Sequence, residues 1–132
     1  MSNPQSKAIM IGKNSCLAMC YIYCIDGKEK SDGTILKMIS DAMDQGILDE
    51  ECFVMSAAYL MEFFSGKKYF VDKQSISSID KIKDLTPVFY SIDGKTGHWV
   101  VVANGKIVYN PLIISKNVNL GKPISARLIT RL

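Results

Sequence analysis

A chain of 132 residues is long enough for one domain, because domains cluster at about 100–150 residues, and no linker or repeat divides the span 1–132. Apolar residues make up 48%, which excludes a disordered chain, and 16 basic against 13 acidic residues give a net charge of only +3. The basic groups at Lys28, Lys67–Lys68 and Lys81–Lys83 are short and lack interleaved aromatics, so they read as solvated faces and no nucleic-acid partner is expected.

The opening Met1 to Lys13 is polar and lacks the cationic-then-apolar order of a secretory signal. No apolar run approaches the ~18 residues a membrane helix requires. The expectation is a product without a membrane span, cytoplasmic as synthesised; export or phage-mediated release would leave no mark of this kind. The four cysteines, Cys16, Cys20, Cys24 and Cys52, do not form the dense framework of a small secreted scaffold, so reduced thiols are expected. A zinc site built from them and His98 is the weaker pattern. Zinc sites favour close cysteine pairs with a second cluster, whereas here three cysteines share one apolar stripe. No metal or other cofactor is expected.

Asn14 and Ser15 are capping residue types, and the run Cys16 to Ile25 behind them is almost wholly apolar. That combination predicts a buried helix with Cys16 in its first turn, stopped by Asp26-Gly27. Ile35, Met38, Ile39 and Ala42 have helical spacing and predict a second helix over about Asp32–Gln45, with Gly46 as its stop. A third is predicted over Ser56–Phe64, closed by Gly66. The period then changes. Lys68–Val71 reads as a short strand and Ser75–Lys83 as a short helix. Thr86–Ile92 and His98–Ala103 are apolar, β-branched strands. Asn104-Gly105 predicts a two-residue hairpin turn leading to a partner strand over Lys106–Asn110, and a last strand is expected over Ser125–Arg131. Helices first and an antiparallel sheet second make an α+β domain, with N-terminal helices packed on a C-terminal sheet.

A cysteine in the first turn of a helix is the one best placed to ionise, because free backbone N–H groups and the helix dipole favour a thiolate there. Cys16 alone among the four holds that position. His98, the single histidine, stands at the mouth of a strand after Thr96-Gly97, and imidazole exchanges protons near neutral pH. With Asn104 and Gly105 as the turn, paired positions sum to 209, so Asn110 falls opposite Trp99 and on the wrong face for His98. A one-residue bulge or a three-residue turn would carry Asn110 to the His98 face, across from the ring. Each residue also has a plainer reading: a buried thiol, a satisfied strand histidine, a turn asparagine before Pro111.

Asn14-Ser-Cys-Leu-Ala-Met-Cys opening a buried helix, Gly97-His-Trp-Val-Val-Val and Tyr109-Asn-Pro, in that order, resemble the papain-like cysteine peptidases. The pattern is most similar to the double-glycine leader peptidases of bacteriocin exporters and their stand-alone relatives, over nearly the whole chain. The resemblance implies a papain-like fold and a triad of Cys16, His98 and Asn110. It also implies a glutamine ahead of the cysteine as oxyanion donor, but Met10 stands six residues before Cys16. Asn14, or Gln5 on an arm folding over the site, would have to replace it. Leu17 stands where many relatives carry glycine, and Asn110 where aspartate is common.

The function so implied is a thiol hydrolase, a cysteine peptidase or amidase acting on a peptide-like bond through a thioester. Its substrate would be a protein leader or a peptidoglycan peptide, with Trp99, Tyr109 and Tyr21 lining the groove. The alternative is an inactive papain-like module that binds or supports. Oligomeric state is not legible in the sequence.

Overall fold

The computed structural model of the chain describes residues 4–25, 30–111 and 121–132. Asp26-Gly27, expected to stop the first buried helix, and Lys28 lie outside them. Among the described residues the order is α1 (Pro4–Asn14), α2 (Cys16–Cys24), α3 (Asp32–Asp44) and α4 (Ala57–Ser65). The strands β1 (Tyr69–Ser75), β2 (Thr86–Ser91), β3 (Gly97–Ala103), β4 (Lys106–Tyr109) and β5 (Lys122–Arg131) complete it. The protein is α+β, with four helices and one five-stranded sheet of order β1-β5-β2-β3-β4, every neighbouring pair antiparallel.

Apolar all round, α2 is buried all round. Ala18 to Tyr23 are inaccessible or nearly so, and the helix lies on β3 and β2 between α3 and α4. The flanking helices have side-chain caps: Ser31 Oγ accepts from the Thr34 N–H, and Ser56 Oγ accepts from the Tyr59 N–H, each at 3.2 Å. Gly66 ends α4 in the left-handed conformation. Leu60, on α4, is fully buried. Leu60→Ala should cost about 2–5 kcal/mol, read as a lower urea midpoint at unchanged slope.

Two expectations are corrected. First, α1 occupies the stretch read as a polar opening, and Ser15 caps nothing. It keeps helical dihedrals, its N–H bonds the Ile11 carbonyl at 3.2 Å and its own carbonyl receives the Met19 N–H at 2.9 Å. Cys16 therefore sits where two helices meet. The negative end of α1 opposes the positive end of α2, which weakens the dipole argument for a thiolate.

Second, Ser75–Lys83 is not a helix. Ser75 completes β1, and the segment's backbone is spent elsewhere: the Ile76 N–H bonds the Ile124 carbonyl, while the Ile82 and Lys83 carbonyls receive the hairpin-turn amides of Gly105 and Asn104. The threefold spacing of Ile76, Ile79 and Ile82 imitates a helix. Those side chains instead cover the second face of the sheet, over Val88, Val100, Val102 and Ala126.

The hairpin turn is as expected. Asn104 and Gly105 both have positive φ (53° and 72°), and Ala103 pairs with Lys106. The pairing sum is 209 at Ala103–Lys106 and Val102–Ile107 but 210 at Val101–Tyr109, because Val108 is an extra residue in β4. This bulge swings the end of the strand to the opposite face.

Candidate active site

Asn110 comes just after the bulge. Its Oδ1 lies 2.6 Å from His98 Nε2. The ladder places it beyond Val101–Tyr109, level with Val100 and diagonal to His98 rather than directly across. An amide oxygen only accepts, so Nε2 carries the proton and Nδ1 is left for the Cys16 thiol. Cys16, His98 and Asn110 come from α2, the start of β3 and the end of β4, and the structure brings all three together.

Burial pushes the Cys16 thiol up and is the largest single influence on it. Against burial act a hydrogen bond with His98, the Trp99 backbone N–H, the charge on His98 and the Leu17 N–H. Together they outweigh it, and the thiol lies below its ordinary value. His98 moves the other way, raised first by its hydrogen bond with Cys16, against burial, and then by the Cys16 charge, Asn110 and the Pro111 carbonyl. An acid held down and a base held up beside each other favour a thiolate–imidazolium pair. The remaining thiols are inert by comparison: burial raises Cys20 well above its usual range and pushes Cys24 and Cys52 up to about 12.

Neither residue suggested as an oxyanion donor meets the thiol. Asn14 Nδ2 donates to the Glu51 carbonyl at 2.9 Å and lies 3.8 Å from Met10 Sδ. Gln5 is exposed in the first turn of α1, about 13 Å along the helix axis from Asn14 at 1.5 Å per residue. The arm expected to fold over the site is part of that helix. The aromatic side chains proposed for a groove are also occupied. Tyr109 stacks on Tyr23 with centroids 4.3 Å apart and donates to Asp32 Oδ1 at 3.4 Å. Trp99 lies between Phe89, at 5.1 Å, and the Arg127 guanidinium, at 4.7 Å. Tyr21 is in the core.

The sequence reads Ile47–Val54 as a turn, and the loop Leu48–Val54 is closed by a bridge between those two residues; what sequence reasoning missed is its contact with the site. Asp49 Oδ1 accepts the Glu51 and Phe53 N–H groups, each at 2.9 Å, and Cys52 is buried at φ 68°. Asn14 ties this loop to the α1–α2 junction, and the influence of Cys16 on the Cys52 thiol puts the two near one another. Nothing in a cysteine's side chain announces a left-handed backbone, so the sequence carried no signal for it.

Among the described residues, no group of three His, Cys, Asp or Glu is placed to hold a metal ion, and no helix is long and apolar enough to cross a membrane. No protein-family model, curated protein or solved structure matches the chain, so the meaning of the site rests on its own geometry.

Proposed function

We propose that the chain is a papain-like thiol hydrolase, a cysteine peptidase or amidase that cleaves a peptide-like bond. The observation that carries this reading is the His98 ring, held at Nε2 by Asn110 at 2.6 Å while it shares a hydrogen bond with the Cys16 thiol. In the first step the Cys16 thiolate attacks the carbonyl carbon, and the negative charge moves to the oxygen. Collapse expels the amine, which takes its proton from His98 and leaves a thioester. Water then attacks the thioester with His98 as base, releasing the acid and restoring the thiol. The backbone N–H of Cys16, at the start of α2, would supply one donor to the developing oxyanion. A protein leader and a peptidoglycan peptide both present the bond this chemistry needs.

One observation favours a second reading, an inactive module on the same scaffold. Met10 stands where the peptidases that the chain resembles have a donor, and the Asn14 amide is already committed to Glu51.

Iodoacetamide labelling of each cysteine, followed by mass spectrometry across pH, separates the two. The hydrolase reading expects Cys16 to label near pH 6 about tenfold or more faster than a thiol of ordinary pKa. His98→Ala should abolish that advantage, since it leaves burial opposed only by two backbone amides. Labelling of Cys16 at the rate of an ordinary thiol, or unchanged by the loss of His98, would leave the inactive module standing.

A further inference from the structure

Trp99 also touches a second feature, on the helix-facing surface of the sheet. Lys73 of β1 and Arg127 of β5 are direct cross-strand partners. Like charges placed opposite one another in a ladder destabilise it unless something neutralises them. The Arg127 guanidinium is half-buried, and its contacts are the Ser125 hydroxyl at 2.8 Å, the Tyr21 hydroxyl and the Trp99 ring. Among the described residues no carboxylate reaches either cation. A half-buried charge is normally paired, and Arg127 and the exposed Lys73 line an open cleft of about 380 Å³ between β1 and the start of α4. Tyr21, Tyr69, Val71 and Ala57 supply apolar walls. The cleft is large enough for one residue of a ligand, with methylene groups against the walls and an anion at the cations.

We propose that this cleft is a specificity subsite for a carboxylate of the substrate, held between Arg127 and Lys73. The inference rests on the hydrolase reading for the word substrate; the binding itself does not depend on a reactive thiol. Arg127 supplies planar donors that match a carboxylate, and Lys73 adds a point charge. Trp99 links the two sites. Its backbone N–H bonds the Cys16 sulfur while its ring carries the Arg127 guanidinium, so a carboxylate in the cleft fixes where the rest of the ligand lies relative to the thiol.

The same contact supplies the readout, because Trp99 is the single tryptophan. Its fluorescence would be titrated in the full chain carrying Cys16→Ala, with three probes at one ionic strength: acetyl-Ala-Glu-Ala-amide, acetyl-Ala-Gln-Ala-amide and acetyl-Ala-Ala-Ala with a free carboxyl end. The expected result is a saturable change with the glutamate or the free-acid peptide, and binding about tenfold weaker or more for the glutamine peptide, the scale of one charge-assisted hydrogen bond. Whichever acid binds tells a side-chain carboxylate from a chain-terminal one. Lys73→Gln, at an exposed position that cannot unfold the core, should weaken binding several-fold without lowering the urea midpoint. Binding of the glutamine peptide as tight as that of the better acid, no saturable change with either acid, or unchanged binding in Lys73→Gln would overturn the subsite. Cys16 labelling in the native chain is measured separately, so an ordinary thiol with intact acid binding rejects the hydrolase and not the cleft.

Discussion

Gly97→Ala should destabilise the fold by about 3 kcal/mol or more and disconnect His98 from Cys16. A methyl group at this position would lie 1.9 Å from the Tyr90 carbonyl oxygen and 2.9 Å from the Phe89 ring. The first of these is backbone and cannot rotate away. Relief requires β3 to part from β2 at the Ser91–Gly97 and Tyr90–His98 pairs. The second pair holds the base, and the next residue, Trp99, supplies an amide to the thiol, so a stability change and a reactivity change should arrive together. Gly12→Ala is the matched control: it adds the same methyl group in α1 with nothing within 4 Å, and should stabilise by about 0.5–1 kcal/mol. Urea midpoints and Cys16 alkylation rates at neutral pH, measured on both variants, check the pair. Near-native values for Gly97→Ala would mean that the strands do not approach as closely as described.

Removing Asn110 tests the other support of the ring. Asn110→Ala deletes the acceptor at Nε2 and frees the imidazole to turn away from the thiol. The Cys16 alkylation rate near pH 6 should fall about 10–100-fold, which is the scale of one strong hydrogen bond to a charged group. Asn110→Asp restores an acceptor with a full charge and should recover most of the rate. The pH dependence has a definite sign. His98 has a folded pKa above its unfolded value, near 6.5. Its contribution to stability is complete below about 6.5 and is lost as pH rises through the folded value. Cys16 is depressed, so its contribution is present above its ordinary value and is lost as pH falls through the folded one. Asn110→Ala removes one influence that raises His98, so the high-pH loss should begin earlier. Asn110→Asp should delay it. Urea midpoints from pH 5 to 9 give the order of the three curves, and identical curves would show that Asn110 does not act on the ring.

Much of this architecture could be read from residue patterns, because the strongest patterns were also the buried ones. The apolar run after Asn14-Ser15, the helical spacing of Ile35 and Ile39 and the β-branched Val100–Val102 each name their element through burial. Asn104-Gly105 names its turn through positive φ. What failed was decided at longer range. The Ser75–Lys83 segment has the period of a helix, but its isoleucines answer to the uncovered face of a sheet that no local window contains. Ser15 has the side chain of a cap, but α1 leaves it no free end to cap. Whether Asn110 reaches His98 depends on one extra residue, Val108, whose side chain differs in nothing from a regular strand valine. The triad could be nominated from sequence; its register could not. The cation pair in the cleft was beyond reach for the same reason, since Lys73 and Arg127 become neighbours only through the pairing of β1 with β5.

That pairing also bears on the order in which the protein can form. β5 comes after every other described element, yet it fills the gap between β1 and β2, and β1 has no other partner in the sheet. Until β5 is synthesised, the two edges it joins remain unpaired, and the contacts that close the sheet span much of the chain. Such long-range closure folds slowly and leaves open strands available to other chains in the interval. Cys16 precedes all five of those strands in the chain. The sheet that carries its partners His98 and Trp99 closes only when β5 slots between two strands that precede it.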